Sequence, residues 1–131
     1  MKIALRALLG ALALFLFVMG AMMLLRPVAT GAQFGLEALD LSGMSSLRSF
    51  NAALFLGLGL LLGLGLLGVE ISVFLAVALF EALVVVGRLV SLASDGSSPP
   101  LWQAAGIEAV AVAALVTADR VLRSRAVGPV S

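Results

Sequence analysis

Residues 70–95, EISVFLAVALFEALVVVGRLVSLASD, decide how this chain folds. Between Glu70 and Asp95 the only charged residues are Glu81 and Arg88, set among Val, Leu, Ala and Phe. A helix needs about 20 predominantly apolar residues to cross bilayer hydrocarbon. The stretch therefore predicts a transmembrane helix from about Val69 or Glu70 to Ala93. Glu81, Arg88 and Asp95 are spaced by seven residues and fall on one stripe of it. On the lenient insertion scale a charge inside hydrocarbon costs about 2.5–3.5 kcal/mol, so such residues persist where they are paired or functional.

The rest of the chain is equally apolar. Of 131 residues, 63% are hydrophobic and 11% charged, and the mean hydropathy is +1.24. A soluble domain of this size has too much surface for its volume to hide that much apolar area. An all-α integral membrane protein follows: four transmembrane helices in an up-down antiparallel bundle, forming one domain over residues 1–131. The expected spans are about 3–25, 50–68, 70–93 and 101–122. A signal peptide competes for the first, with Lys2 and Arg6 as its basic start. The apolar run is longer than the 7–15 residues usual for such a segment, which favours a retained span.

Span one ends at Arg26-Pro27, a helix-stop signal. The connection from Val28 to Ser49 carries Phe34, Leu36, Leu39 and Leu41 among polar residues, and a short interfacial helix is expected around Phe34–Leu41. Residues 94–100, SDGSSPP, read as a loop. Trp102 then opens span four at the level where indoles anchor. Lys2, Arg6, Arg120, Arg123 and Arg125 lie on one side, against Arg26, Arg48 and Arg88 on the other. That bias puts both termini in the cytoplasm, in the inner membrane if the cell is bacterial.

Small residues mark the packing faces: Gly59–Gly63, Ala78–Ala82 and Ala105–Ala109–Ala113. They let helices approach closely in lipid, within one bundle or between copies. Cys, His and Tyr are absent, which removes disulfides, Cys/His zinc sites, His-ligated haem and Ser-His-Asp triads. No cofactor or metal site is expected, and no basic patch interleaved with aromatics supports nucleic-acid binding. Met19, Met22 and Met23 are expected to be lipid or core contacts.

A rise of about 1.5 Å per residue gives depths. With Asp95 at the outer boundary, Arg88 lies roughly 10 Å and Glu81 roughly 20 Å below it, while Glu108, entering on span four, lies level with Arg88. Arg48 and Asn51 enter from the same side on span two. Arg88 is thus expected to pair with Glu108, through the planar fork that guanidinium offers a carboxylate, and Arg48 with Asp95. Glu81 has no cation at its depth. A carboxyl group buried without a countercharge favours its neutral form, which is how general acids are poised. Glu70 is expected to be solvated, and Asp119 to pair with Arg123 at i,i+4.

Several segments recur in a familiar order. Pro27 is followed by Arg48-Ser49-Phe50-Asn51-Ala52-Ala53 with Gly57, then Gly87-Arg88-Leu89-Val90-Ser91-Leu92, Asp95-Gly96, Pro99 and Glu108. Over nearly its whole length the chain resembles a family of small bacterial four-helix membrane proteins known only as a domain of unknown function. The resemblance implies four spans, marks Arg48, Arg88, Asp95 and Glu108, and carries no activity.

Three functions stay open. One is an accessory or subunit protein whose charges pair internally or with a partner membrane protein, or which self-associates. Another is a pocket for a membrane lipid or lipophilic small molecule, with acid/base chemistry such as isomerisation, cyclisation or epoxide opening. Glu81, Glu108 and Arg88 would then be catalytic, with Arg48, Asn51 and Asp95 binding. The third, proton-coupled transport, is disfavoured because span one has no carboxylate, whereas known small four-helix exporters carry one there.

Overall fold

The computed structural model describes the backbone of residues 2–126 and the side chains of residues 3–122. Six helices follow one another: α1 (Lys2–Leu25), α2 (Pro27–Gln33), α3 (Leu41–Ser46), α4 (Ala52–Leu66), α5 (Val73–Ser94) and α6 (Pro99–Ala126). A π-helical turn, Leu47–Asn51, joins α3 to α4 without a break. Four stretches are long and apolar enough to cross a membrane: Ile3–Leu25, Leu41–Leu66, Val73–Ser94 and Pro99–Leu122. The chain is an all-α, multi-pass membrane protein.

Local chemistry sets the boundaries. Arg26 precedes Pro27, whose ring disfavours helical geometry at the residue before it, and α1 stops there. Pro27 then opens α2 at the position where its missing N–H costs nothing. Gly35, at φ +69°, closes α2, with Leu36 N–H donating to Gly31 O at 2.9 Å and Gly35 N–H to Ala32 O at 3.1 Å. Gly68, at φ +77°, ends α4 in the same way, its N–H donating to Gly65 O and that of Val69 to Leu64 O.

Two expectations need correction. The short helix in the first connection is Pro27–Gln33, not Phe34–Leu41; the left-handed turn at Gly35 breaks the chain just where it was expected to continue. The second span starts at Leu41, nine residues before Phe50. Asp40 caps it, accepting the Gly43 N–H on Oδ1 at 2.6 Å. The polar run from Ser42 to Asn51 is helical because Ser45, Leu47 and Ser49 turn toward other helices and are buried. Similarly, α5 begins at Val73, where Ser72 accepts the Leu75 N–H on its hydroxyl at 3.1 Å. Two prolines, Pro99 and Pro100, start α6.

The long helices run antiparallel to their sequence neighbours and pack in a row. α1 lies on α4, α4 and the π turn on α5, and α5 on α6, leaving α1 and α6 as the outer members. Glycine sets the first contact: a Cβ at Gly59 would stand 2.8 Å from Phe17 N and 2.9 Å from Ala13 O, and one at Gly20 would stand 2.5 Å from Leu56 N. Gly63 meets nothing within 4 Å, so Gly20 rather than Gly63 is the second close-approach position here.

An arginine caps each end of this α1/α4 hairpin. Arg6 Nη2 donates to Leu66 O at 2.9 Å, and Arg48 Nη1 donates to Leu24 O at 2.6 Å. Each meets carbonyls at a helix C-terminus, where intrahelical donors run out and positive charge is favoured.

Candidate functional site

The close crossing of α5 over the π turn creates the site. A Cβ on Gly87 would collide with the Arg48 carbonyl oxygen and stand 2.5 Å from Ser49 Cα. Only glycine lets the two backbones approach this closely, and the contact brings Arg48, Ser45 and Phe50 up to Arg88, Ser91 and Asp95. The π turn holds one residue more per turn than an α-helix, and such turns often sit at functional positions.

Two arginine–carboxylate pairs occupy the crossing. Arg48 grips Asp95 with both arms of its fork, Nε to Oδ2 at 2.7 Å and Nη2 to Oδ1 at 2.9 Å. Its remaining arm is the one that caps Leu24. Ser91 Oγ donates to Asp95 Oδ2 at 2.7 Å. Asp95 is the C-cap of α5, where the helix dipole disfavours an anion, and Arg48 supplies the compensating charge. Burial pushes the Asp95 carboxyl up, but hydrogen bonds from Arg48 and Ser91 and the Arg48 charge outweigh it and leave the group below its ordinary value.

The second pair is deeper. Arg88 and Glu108 are 7% and 8% exposed. Arg88 Nε lies 3.0 and 3.2 Å from the two Glu108 carboxylate oxygens, and Nη2 lies 2.9 Å from Oε1. Nη1 donates to Ser45 Oγ at 3.1 Å, while the guanidinium carbon sits 5.0 Å from the centre of the Phe50 ring. Every nitrogen of Arg88 is used, and its charge also faces an aromatic quadrupole. Nearby, the fully buried Ser49 hydroxyl has no hydrogen-bond partner among the described residues.

The other residues singled out by sequence fall elsewhere. Glu81 is half-buried on α5, with no hydrogen bond or ion pair among the described residues. Asn51 is half-buried in the π turn. Glu70 is exposed in the turn before α5. Asp119 is buried and accepts a hydrogen bond from Ser72 Oγ, tying the far end of α6 to the start of α5. Its expected partner Arg123 lies, as a side chain, outside the described residues, as does Arg125. Met23 is fully buried and Met22 exposed. The indole of Trp102 is exposed and donates to Ser97 Oγ at 2.9 Å.

Sequence reasoning missed Ser45, Ser91, Phe50 and the Leu24 carbonyl. One signal was present. Ser42, Ser45, Ser46 and Ser49 recur at helical spacing just before the apolar run, so a polar helix face was legible there.

Residues 4–118 match the family described as Domain of unknown function (DUF4345). The chain belongs to that family. The match takes in α1 to α5 and α6 as far as Ala118, including all of Arg48, Glu81, Arg88, Asp95 and Glu108. No curated protein and no solved structure matches the chain.

Proposed function

We propose that this DUF4345 protein is an accessory or structural subunit of a membrane assembly, lying in the bacterial cytoplasmic membrane with both termini inside. The observation that carries the proposal is the saturation of both arginine–carboxylate pairs. Each guanidinium nitrogen of Arg48 and Arg88 is committed within the chain, and both Glu108 oxygens face Arg88. A carboxylate held this way is a poor general base, since any proton it takes must first displace an arginine. A closed, buried network of this kind fixes helix register.

The orientation is supported by the same geometry. With Arg48 and Arg88 consumed between helices, Arg26 is the one arginine left exposed on the loop side, against Lys2, Arg6, Arg120, Arg123 and Arg125 near the termini. The bias toward the termini is what the positive-inside rule reads as cytoplasmic.

Catalysis on a lipophilic molecule is the second reading, and Glu81 is what favours it. That carboxyl is free of Arg88 and could act as an acid at mid-membrane depth. It would have to act without the Glu108–Arg88 support the sequence pattern suggested.

The discriminating experiment is purification from the native membrane in mild detergent, followed by native mass measurement. An accessory subunit gives a complex whose mass exceeds that of any multiple of the 13.4 kDa chain by a constant partner. A monomer or homo-oligomer alone, under conditions that preserve known complexes of that membrane, rejects the proposal.

A further inference from the structure

Glu81 is the intramembrane carboxyl the fold leaves unexplained. It sits 8 residues into the 22-residue α5, about 12 Å along a helix roughly 33 Å long, so it lies close to the middle of the span. That depth is far beyond the reach of a glutamate side chain toward either interface. The stripe it belongs to changes character at this point. Above Glu81, Val84 and Arg88 are buried; below it, Val77 and Phe74 are exposed, 42% and 39%. Phe74, Val77 and Glu81 follow the i, i+3, i+7 spacing of a single helix face. Glu81 thus marks the upper end of an open apolar strip on α5.

Bare in hydrocarbon, a carboxyl at this depth is costly. None of the described side chains supplies its cation. Among the described side chains, the basic residues within the spans are Arg6, Arg48, Arg88 and Arg120. Arg48 and Arg88 are committed to Asp95 and Glu108. Arg6 caps Leu66, and Arg120 follows Asp119, which bonds Ser72 at the start of α5, about 13 Å along that helix from Glu81. A second copy brings the same inventory and would set carboxyl against carboxyl.

We infer that the α5 strip from Phe74 to Glu81 docks a transmembrane helix of a different protein, one that carries a single Lys or Arg near its midpoint to meet Glu81. The inference deepens the accessory reading by naming the chemistry of the partner and rests on it. Apolar packing along Val77 and Phe74 supplies shape, and the charge pair supplies selection by depth.

The test uses the purified full-length chain in zwitterionic lipid vesicles, with synthetic host helices of Leu and Ala as probes. One probe has Lys at its centre, one has Lys two turns nearer an end, and one has Leu at its centre. Association is read by energy transfer between labelled chain and labelled probe. The centre-Lys helix should bind at least tenfold more tightly than the other two, and Glu81→Leu should erase that difference. Depth discrimination between the two Lys probes needs no substitution in the chain, so it stands even if a variant folds poorly. Equal binding of all three probes overturns the inference, as does a preference that survives Glu81→Leu. Self-association of the wild type that Glu81→Leu abolishes also overturns it, by making a second copy the occupant. The native mass measurement fails separately: a foreign partner without a central cation on its helices rejects this inference but leaves the accessory role standing.

Discussion

Replacing Glu108 by Leu should destabilise the protein severely, and replacing Arg88 by Met as well should restore most of the loss. Arg88 gives Glu108 its Nε and Nη2, at 2.9–3.2 Å, in surroundings where both residues are more than nine-tenths buried. Removing one member of such a pair leaves an uncompensated buried charge, at a cost of about 3–5 kcal/mol. Ser45 remains to Arg88 in the single variant, but one hydroxyl does not neutralise a guanidinium. Replacing both members by apolar residues of similar volume removes the charge and its desolvation together, an exchange that is often neutral or favourable by about 1–4 kcal/mol. Arg88→Met alone should cost as much as Glu108→Leu alone, because it strands the carboxylate. The assay is reversible unfolding of purified variants in mixed micelles with increasing SDS, read by far-UV circular dichroism, with the four proteins forming a double-mutant cycle. A coupling of about 3 kcal/mol or more is expected from the buried geometry. Single variants within about 1 kcal/mol of wild type, or a double variant as unstable as the summed singles, would refute the view that this pair is a register lock.

Other outcomes follow from the same geometry. Gly87→Ala places a methyl group against backbone atoms of Arg48 and Ser49, which cannot rotate away; a loss of about 1–3 kcal/mol is expected, with Arg48–Asp95 loosened, read as SDS-unfolding stability. Gly63→Ala, where nothing lies within 4 Å, should leave stability within about 0.5 kcal/mol of wild type in the same assay. Ser72→Ala removes the α5 cap and the hydroxyl that bonds Asp119, and should cost about 0.5–2 kcal/mol by the same unfolding curve. Asp95, held below its ordinary value, stabilises the fold above about pH 4 and loses that contribution as pH falls through its lower folded-state value. Asp95→Asn should therefore be less stable than wild type at pH 7, and the gap should narrow in acid, measured by SDS unfolding across pH.

Hydropathy made the four spans legible, because each apolar run is long enough to cross bilayer hydrocarbon. It misplaced the start of the second by nine residues, since Ser45, Arg48 and Ser49 look like loop residues until another helix is there to receive them. The helix stop at Arg26-Pro27 is legible in the sequence, but the helix that Pro27 opens is not, because the apolar residues of the connection, Phe34, Leu36 and Leu39, lie beyond it. Equal depth on antiparallel helices made Arg88 and Glu108 legible as neighbours, and the same logic brought Arg48 to Asp95. Ser91, Ser45 and Phe50 complete those contacts through the close approach of α5 to the π turn. That approach depends on Gly87, and a sequence shows a glycine without showing which backbone it admits. The hydrogen bond that Asp119 accepts from Ser72, 47 residues away in sequence, has no helix-local spacing to announce it.

The closed state of the network can be observed at its donors. In the purified, 15N-labelled protein, the Nε–H protons of Arg48 and Arg88 report directly whether the guanidinium groups are bonded to Asp95 and Glu108, and exposed Arg26 and Arg120 serve as references within the same spectrum. A locked, internally paired network predicts Arg48 and Arg88 signals that exchange with water far more slowly than those of Arg26 and Arg120. Exchange of the Arg88 Nε–H as fast as that of Arg26 would contradict it, leaving Glu108 free for chemistry.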